Sequence, residues 1–140
     1  MKLPVQRGQR WLADARNTLF QAQRVAADER LANVACFLAE QSCQKALKAI
    51  LYFEGARFVT IHSITELLKQ IGKDHPELLA LREGGAVLDQ YYLSSRYPDA
   101  VAEPAIPTEL FGKAQAEQAV AIAQGIVGAA GTIIQGAAEL

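Results

Sequence analysis

The chain has 140 residues, 51% of them hydrophobic, with 14 Lys and Arg against 15 Asp and Glu and a formal net charge of −1. That length suits one domain, residues 1–140, able to bury about two thirds of its unfolded surface without metals or disulfides. The composition excludes a disordered chain, and the near-neutral charge excludes a bulk electrostatic footprint for nucleic acid, leaving only a local basic patch open.

Alanine dominates the apolar fraction and aromatic residues are 7%, which favours helix over sheet. The opening MKLPVQRGQRW has no apolar run of signal-peptide type. Over residues 6–26, Trp11, Ala15, Leu19, Ala22 and Val25 recur on one helical face. Asp28-Glu29-Arg30 interrupts that face and starts a second helix. This helix has two apolar stripes, one through Ala35, Leu38, Ser42, Ala46 and Ala49, the other through Cys36, Ala39, Cys43, Leu47 and Ile50. A helix apolar on two sides belongs in the middle of a bundle. Glu40, Gln41, Gln44, Lys45 and Lys48 are then confined to a narrow polar strip, and Gly55 is placed to end the helix.

Ser63-Ile64-Thr65-Glu66 has the capping-box pattern and opens a third, short helix closing at Gly72. Asp74-His75-Pro76-Glu77 starts a fourth, which Pro98 forces to stop near Arg96. Gly84-Gly85 inside it implies a break or the close approach of another backbone. After a connector with three prolines, Thr108 is the expected N-cap of a last helix with Phe111, Ala114, Gln118, Ile122, Ile126, Ala129 and Ile133 on one face. Its 21 uncharged residues match a membrane span in length. Three glutamines, a threonine and four glycines instead indicate a helix packed within the protein, with no membrane. No period-two strand and no repeat is visible, so the expected fold is all-α, an up-and-down bundle of about five helices.

Cys36 and Cys43 lie two helical turns apart, about 10 Å, too far for a disulfide. With no zinc spacing either, no metal or cofactor is expected, and the cysteines read as core residues of a cytoplasmic, reducing environment. Of the two histidines, His75 fits a helix start, whereas His62 precedes the capping box as either a packed loop residue or a polar contact. Arg57-x4-His62 has the arginine–histidine spacing found in a group of metal-independent ribonucleases, where histidine moves protons and arginine holds phosphate charge. It spans a loop, and Phe58 follows the arginine. Arg96 suits the negative end of a helix. There Asp99 pairs with it or caps the turn; a guanidinium beside Tyr97 equally suits a phosphate grip with an aromatic platform for a base, and both readings stand.

Three segments in order, FLAEQSCQKALKAILYFEG (37–55), IHSITELLKQIG (61–72) and YYLSSRYPDA (91–100), resemble the pattern of HEPN domains, the higher-eukaryote and prokaryote nucleotide-binding domains. Gln44, Lys45 and Lys48 match the second-helix signature, with Gln44 where a glutamate is common. His62 and Ser63 match the third-helix start, with Ile64 in place of leucine, and Arg96, Tyr97, Pro98 and Asp99 match the turn. The resemblance implies a helical bundle similar to the helical domain of nucleotidyltransferases. It also implies a frequent dimer that binds a nucleotide or RNA, or that partners a minimal nucleotidyltransferase, in some pairs as toxin and antitoxin. On that reading Arg96 and Lys45 hold phosphate, Tyr97 meets a base or packs locally, Asp99 orients Arg96, His62 is a polar contact, and Gln41 and Lys48 are further ligand-binding candidates.

Ribonuclease members of the wider superfamily carry their R-x(4–6)-H near a late helix, and no histidine follows Arg96. The leading expectation is therefore a non-catalytic accessory domain. The alternatives are a ribonuclease toxin using Arg57 and His62, and a structural module that dimerises or docks through the Ala/Gly face of the last helix, at Gly125 and Gly128.

Overall fold

The computed structural model describes residues 2–139, which contain helices and turns and no strand. The α-helices are α1 (Lys2–Val25), α2 (Ala32–Phe53), α3 (Ile64–Ile71), α4 (Arg82–Asp89), α5 (Tyr91–Ser94), α6 (Pro107–Leu110) and α7 (Lys113–Glu139). The all-α bundle expected from the sequence is the fold that forms.

Helix α2 occupies the centre, as its two apolar stripes require, and packs against α1, α7 and α3. Ala35, Ala39, Ala46 and Ala49 are fully buried, and so are Cys36, Cys43, Leu47 and Ile50. Small residues let α1 and α2 lie close together. A methyl group on Gly8 would sit 2.5 Å from the Phe53 Cβ, a distance no real contact tolerates. Both cysteines are free and buried; burial pushes the Cys36 thiol up to about 12 and the Cys43 thiol higher still, so neither is a reactive thiolate.

Several ends follow the sequence signals. Asp28 accepts the Arg30 N–H at 3.0 Å ahead of α2. Gly55, with φ of 105°, closes α2 in the left-handed conformation. The Ala56 N–H then reaches the Leu51 carbonyl at 2.9 Å and the Gly55 N–H reaches that of Tyr52 at 3.0 Å, a Schellman closure. Tyr97 is extended at φ −120°, ψ 130°, before Pro98.

Several expectations need correction. The fourth helix is divided into a 3-10 segment, Pro76–Leu81, then α4 and α5. The Gly84-Gly85 pair lies inside α4, where missing side chains admit Ile122 from one side and Ile64 and Leu68 from another, 2.9–3.0 Å from where Cβ atoms would be. Thr108 sits exposed within α6, and α7 starts at Lys113, where the Gln115 Oε1 accepts the Gly112 N–H at 2.8 Å.

The buried face of α7 also differs. Ala116, Ala119, Val120, Ala123, Ile126, Val127, Ala130 and Ile134 form it, Ile122, Ala129 and Ile133 flank it, and Ala114 and Gln118 are exposed. Alanine and glycine on nearly every side of this helix blur its periodicity, and the branched residues decide which way it turns. α7 is long and apolar enough to cross a membrane by length and composition, and 44% of its most apolar stretch is buried within the bundle.

Ser63 caps α3 by accepting the Glu66 N–H at 3.2 Å. The return bond expected from Glu66 is not found among the described residues. Asp89, at the end of α4, supplies the acceptors instead. It takes the N–H groups of Ile64 at 2.7 Å and Thr65 at 3.0 Å and the hydroxyls of Ser63 and Thr65 at 3.0 and 2.7 Å. A carboxylate so placed satisfies the orphan donors of the helix start and pins the residue before it, His62, against the bundle.

Candidate functional site

The polar strip of α2 is spaced at three and four residues, so Gln41, Gln44, Lys45 and Lys48 project on one side of the helix. Trp11, Asp14 and Thr18 face them from α1 at the same spacing, while the anchored His62 and Tyr92 of α5 close the opposite side. Gln41, Gln44, Lys45, Lys48, His62, Tyr92 and Trp11 together line a cavity of about 200 Å³. A wider groove of about 620 Å³ shares Trp11 and Lys45 and adds Arg7 and Arg10.

Lys45 is held by Asp14 at 2.9 Å and donates to the Thr18 hydroxyl at 3.0 Å. Lys48 is buried to 7% exposure. Burial pulls its ammonium below the usual lysine range, and Glu40 nearby partly offsets this. Its Nζ lies 3.4 Å from the Nδ1 of His62, and the same Nδ1 lies 3.4 Å from the Gln44 Oε1. The His62 ring is nearly parallel to that of Tyr92, 9° apart with centroids at 6.2 Å.

Beneath the strip lies Glu40, at 0% exposure. Gln41 donates to one carboxylate oxygen at 2.8 Å and the Gln44 amide nitrogen donates to the other. Burial pushes the carboxyl above the usual range. The two amide bonds work against that shift, Asp89 adds to it and Arg96 opposes it.

Arg96 is not in the cavity lining. Its guanidinium lies 4.4 Å from the Phe37 ring centre and 5.0 Å from those of Tyr92 and Tyr97. Its Nε and Nη2 donate to the Tyr92 carbonyl at 3.1 and 2.9 Å. It thus fastens the end of α5 and with it Tyr92. Tyr97 is half exposed, and Asp99 is exposed, with no bond to Arg96 among the described residues. The orienting role expected of Asp99 is taken by a backbone carbonyl.

Arg57 is exposed and lines a separate, mainly apolar groove with Arg7, Tyr52 and Leu3. Its carbonyl accepts from the Arg7 Nη1 at 2.7 Å. The arginine and histidine of the R-x4-H spacing therefore open onto different cavities.

The sequence thus brings together Gln41, Lys45, Lys48 and His62 and separates them from Arg96, Tyr97, Asp99 and Arg57. Trp11, Tyr92 and Glu40 were not foreseen as parts of the site. The one available signal was the shared spacing of Trp11, Asp14 and Thr18 with the polar strip. No group of three or more metal-ligating side chains occurs among the described residues.

A model of the HEPN domain matches residues 9–133, a span that includes every residue of the cluster. Among solved structures, the chain is similar to TT1696 from Thermus thermophilus, with 34% identity, 89% of this chain and 95% of that one covered, and a TM-score of 0.77. It is also similar to ST0689, an archaeal HEPN homologue, with 30% identity, 91% and 98% covered, and a TM-score of 0.73. No curated protein matches the chain.

Proposed function

The chain belongs to the HEPN domain family, and on that footing we propose that it binds the phosphate of a nucleotide or RNA without cutting it. The observation that carries this reading is the convergence of Lys45, Lys48 and His62, with the amides of Gln41 and Gln44, on one cavity between Trp11 and Tyr92. The cavity suits a phosphate in size, and the groove sharing Trp11 and Lys45 gives room for the attached nucleoside. A partly desolvated ammonium such as Lys48 gains from an anion more than an exposed one does, since charge-assisted bonds contribute about 1.5–3 kcal/mol. Lys45 gives up its half-exposed pair with Asp14 at a cost of about 0–1 kcal/mol. Aromatic side chains at the rim supply stacking surface for a base.

In this reading Arg96 is a positioning residue for Tyr92, and Tyr97 is a neighbour of the site. The resemblance in motif order supports an accessory role beside a minimal nucleotidyltransferase, in a toxin–antitoxin-like pair. A homodimer would form through the exposed α7 face at Gly125 and Gly128, where an added Cβ meets nothing within 4 Å. Leucine at either glycine tests that interface by sedimentation velocity.

Calorimetric titration with ATP, GTP and a short single-stranded RNA tests the binding itself. We expect saturable binding that weakens with salt and is lost in the Lys45→Met/Lys48→Met double variant while the melting temperature holds. Absence of binding in the wild type, or its persistence in the double variant, overturns the reading. RNA cleavage that disappears in His62→Ala overturns the non-catalytic part.

A further inference from the structure

The buried carboxylate of Glu40 does not line the cavity between Trp11 and Tyr92, yet it is bonded to Gln44, which does. Both of its oxygens accept amide N–H groups, one from Gln41 and one from Gln44. An ionised carboxylate only accepts, so it fixes the Gln44 amide with nitrogen inward. The Gln44 Oε1 is thereby turned outward, 3.4 Å from His62 Nδ1. A carbonyl oxygen facing a ring nitrogen is favourable only if that nitrogen carries the proton. Lys48 Nζ stands at the same distance from the same atom and asks for the reverse, an unprotonated Nδ1. Both demands cannot be met at once.

We infer that Glu40 is a positioning residue which, through Gln44, sets the tautomer of His62. With Glu40 ionised, neutral His62 carries its proton on Nδ1 and a lone pair on Nε2, and Lys48 keeps its ammonium protons for a ligand. With Glu40 protonated or replaced by an amide, Gln44 is free to turn over. No carbonyl then opposes Lys48, which donates to the single lone pair of Nδ1; the proton moves to Nε2, and Lys48 is drawn back to the ring. The charged and titratable groups around this line are Lys48 and Cys43 on α2, Asp89 on α4 and Arg96 beyond α5. None of them donates a hydrogen bond to the Glu40 carboxylate among the described residues, so the two amides alone fix its orientation.

The consequence for the anion site rests on the phosphate-binding reading, whereas the tautomer itself does not. Long-range ¹H–¹⁵N correlation spectra near pH 9, where imidazole is neutral and Glu40 is driven towards ionisation, read the tautomer directly. His75, bonded to Glu54 at 2.9 Å, is separated by assignment in His75→Gln. We expect Nδ1–H in the wild type and in Lys48→Met, and a change to Nε2–H in Glu40→Gln. Gln44→Met, which removes the relay without touching the buried charge, gives the same change if Glu40→Gln does not fold. The same His62 tautomer in wild type, Glu40→Gln and Gln44→Met overturns the inference. A changed tautomer in a protein that binds no ATP or RNA upholds it and refutes the phosphate reading instead. If both stand, Glu40→Gln weakens ATP binding by about 3- to 10-fold, since Lys48 must leave the ring to reach the ligand.

Discussion

Two cationic places in this molecule use the same chemistry to opposite ends. At the end of α5, Arg96 lies among three aromatic rings and spends two of its N–H groups on a carbonyl of its own turn. On α2, Lys48 is more deeply buried than Arg96, yet its ammonium faces a histidine and an open cavity. A cation whose donors are satisfied internally acts as a fastener, and one buried with donors to spare is, in the proposed reading, held ready for an anion. The sequence gives no local sign of which is which. The difference lies in the partners that tertiary packing supplies.

Substitutions at the two places should therefore separate binding from stability. The largest expected effect is Lys48→Met. It removes a charge-assisted contact and should weaken ATP or RNA binding about 10- to 100-fold, the equivalent of about 1.5–3 kcal/mol. It also relieves a buried ammonium, so the melting temperature should hold or rise. Arg96→Ala should do the reverse. Loss of three ring contacts and two hydrogen bonds costs about 1–3 kcal/mol in urea denaturation, while binding should fall only a few-fold through a loosened Tyr92. Equal effects of the two variants on both quantities would erase the distinction.

Glu40→Gln sharpens the comparison through pH. The carboxyl binds its proton more tightly folded than unfolded because it is buried. Its contribution to stability is thus fully present below the unfolded carboxylate value and is lost as pH rises through the raised folded value. The amide variant should remove that loss, so its melting temperature should gain on the wild type as pH is raised from 4 to 8. A constant difference over that range would show that burial does not hold the proton. Arg57→Ala should have the smallest effect, within about 0.5 kcal/mol in stability and within about twofold in binding, as befits an exposed side chain on another groove.

Much of the bundle was legible because its signals are local. The two stripes of α2, the Ser63 cap and Gly55 each announce one physical requirement, and all three are met. The burial of α7 was misjudged because Ala and Gly give a helix no contrasting side, and its orientation depends on where α1 and α2 leave room for Val120, Ile126 and Ile134. The cluster was half legible. Gln41, Lys45 and Lys48 share a spacing, so one helix suffices to unite them. His62 joins them only because Asp89, 27 residues later in the chain, pins the start of α3. Glu40 reads as one more member of a solvated strip, since nothing in its own neighbourhood reveals that other helices cover it. Arg96, in the segment with the strongest motif, owes its internal role to Phe37, an aromatic ring from a different helix.

The central claim is that the cavity between Trp11 and Tyr92 is where phosphate binds. Trp11 is the only tryptophan in the chain and lines both the cavity and the groove, so its fluorescence reports on that place alone. Titrating wild type, Lys48→Met and Arg57→Ala with ATP and with short RNA should give a saturable change in Trp11 emission in the first and third proteins and none in the second at equal concentration. A wild-type signal that never changes, or one that survives intact in Lys48→Met, would contradict the account.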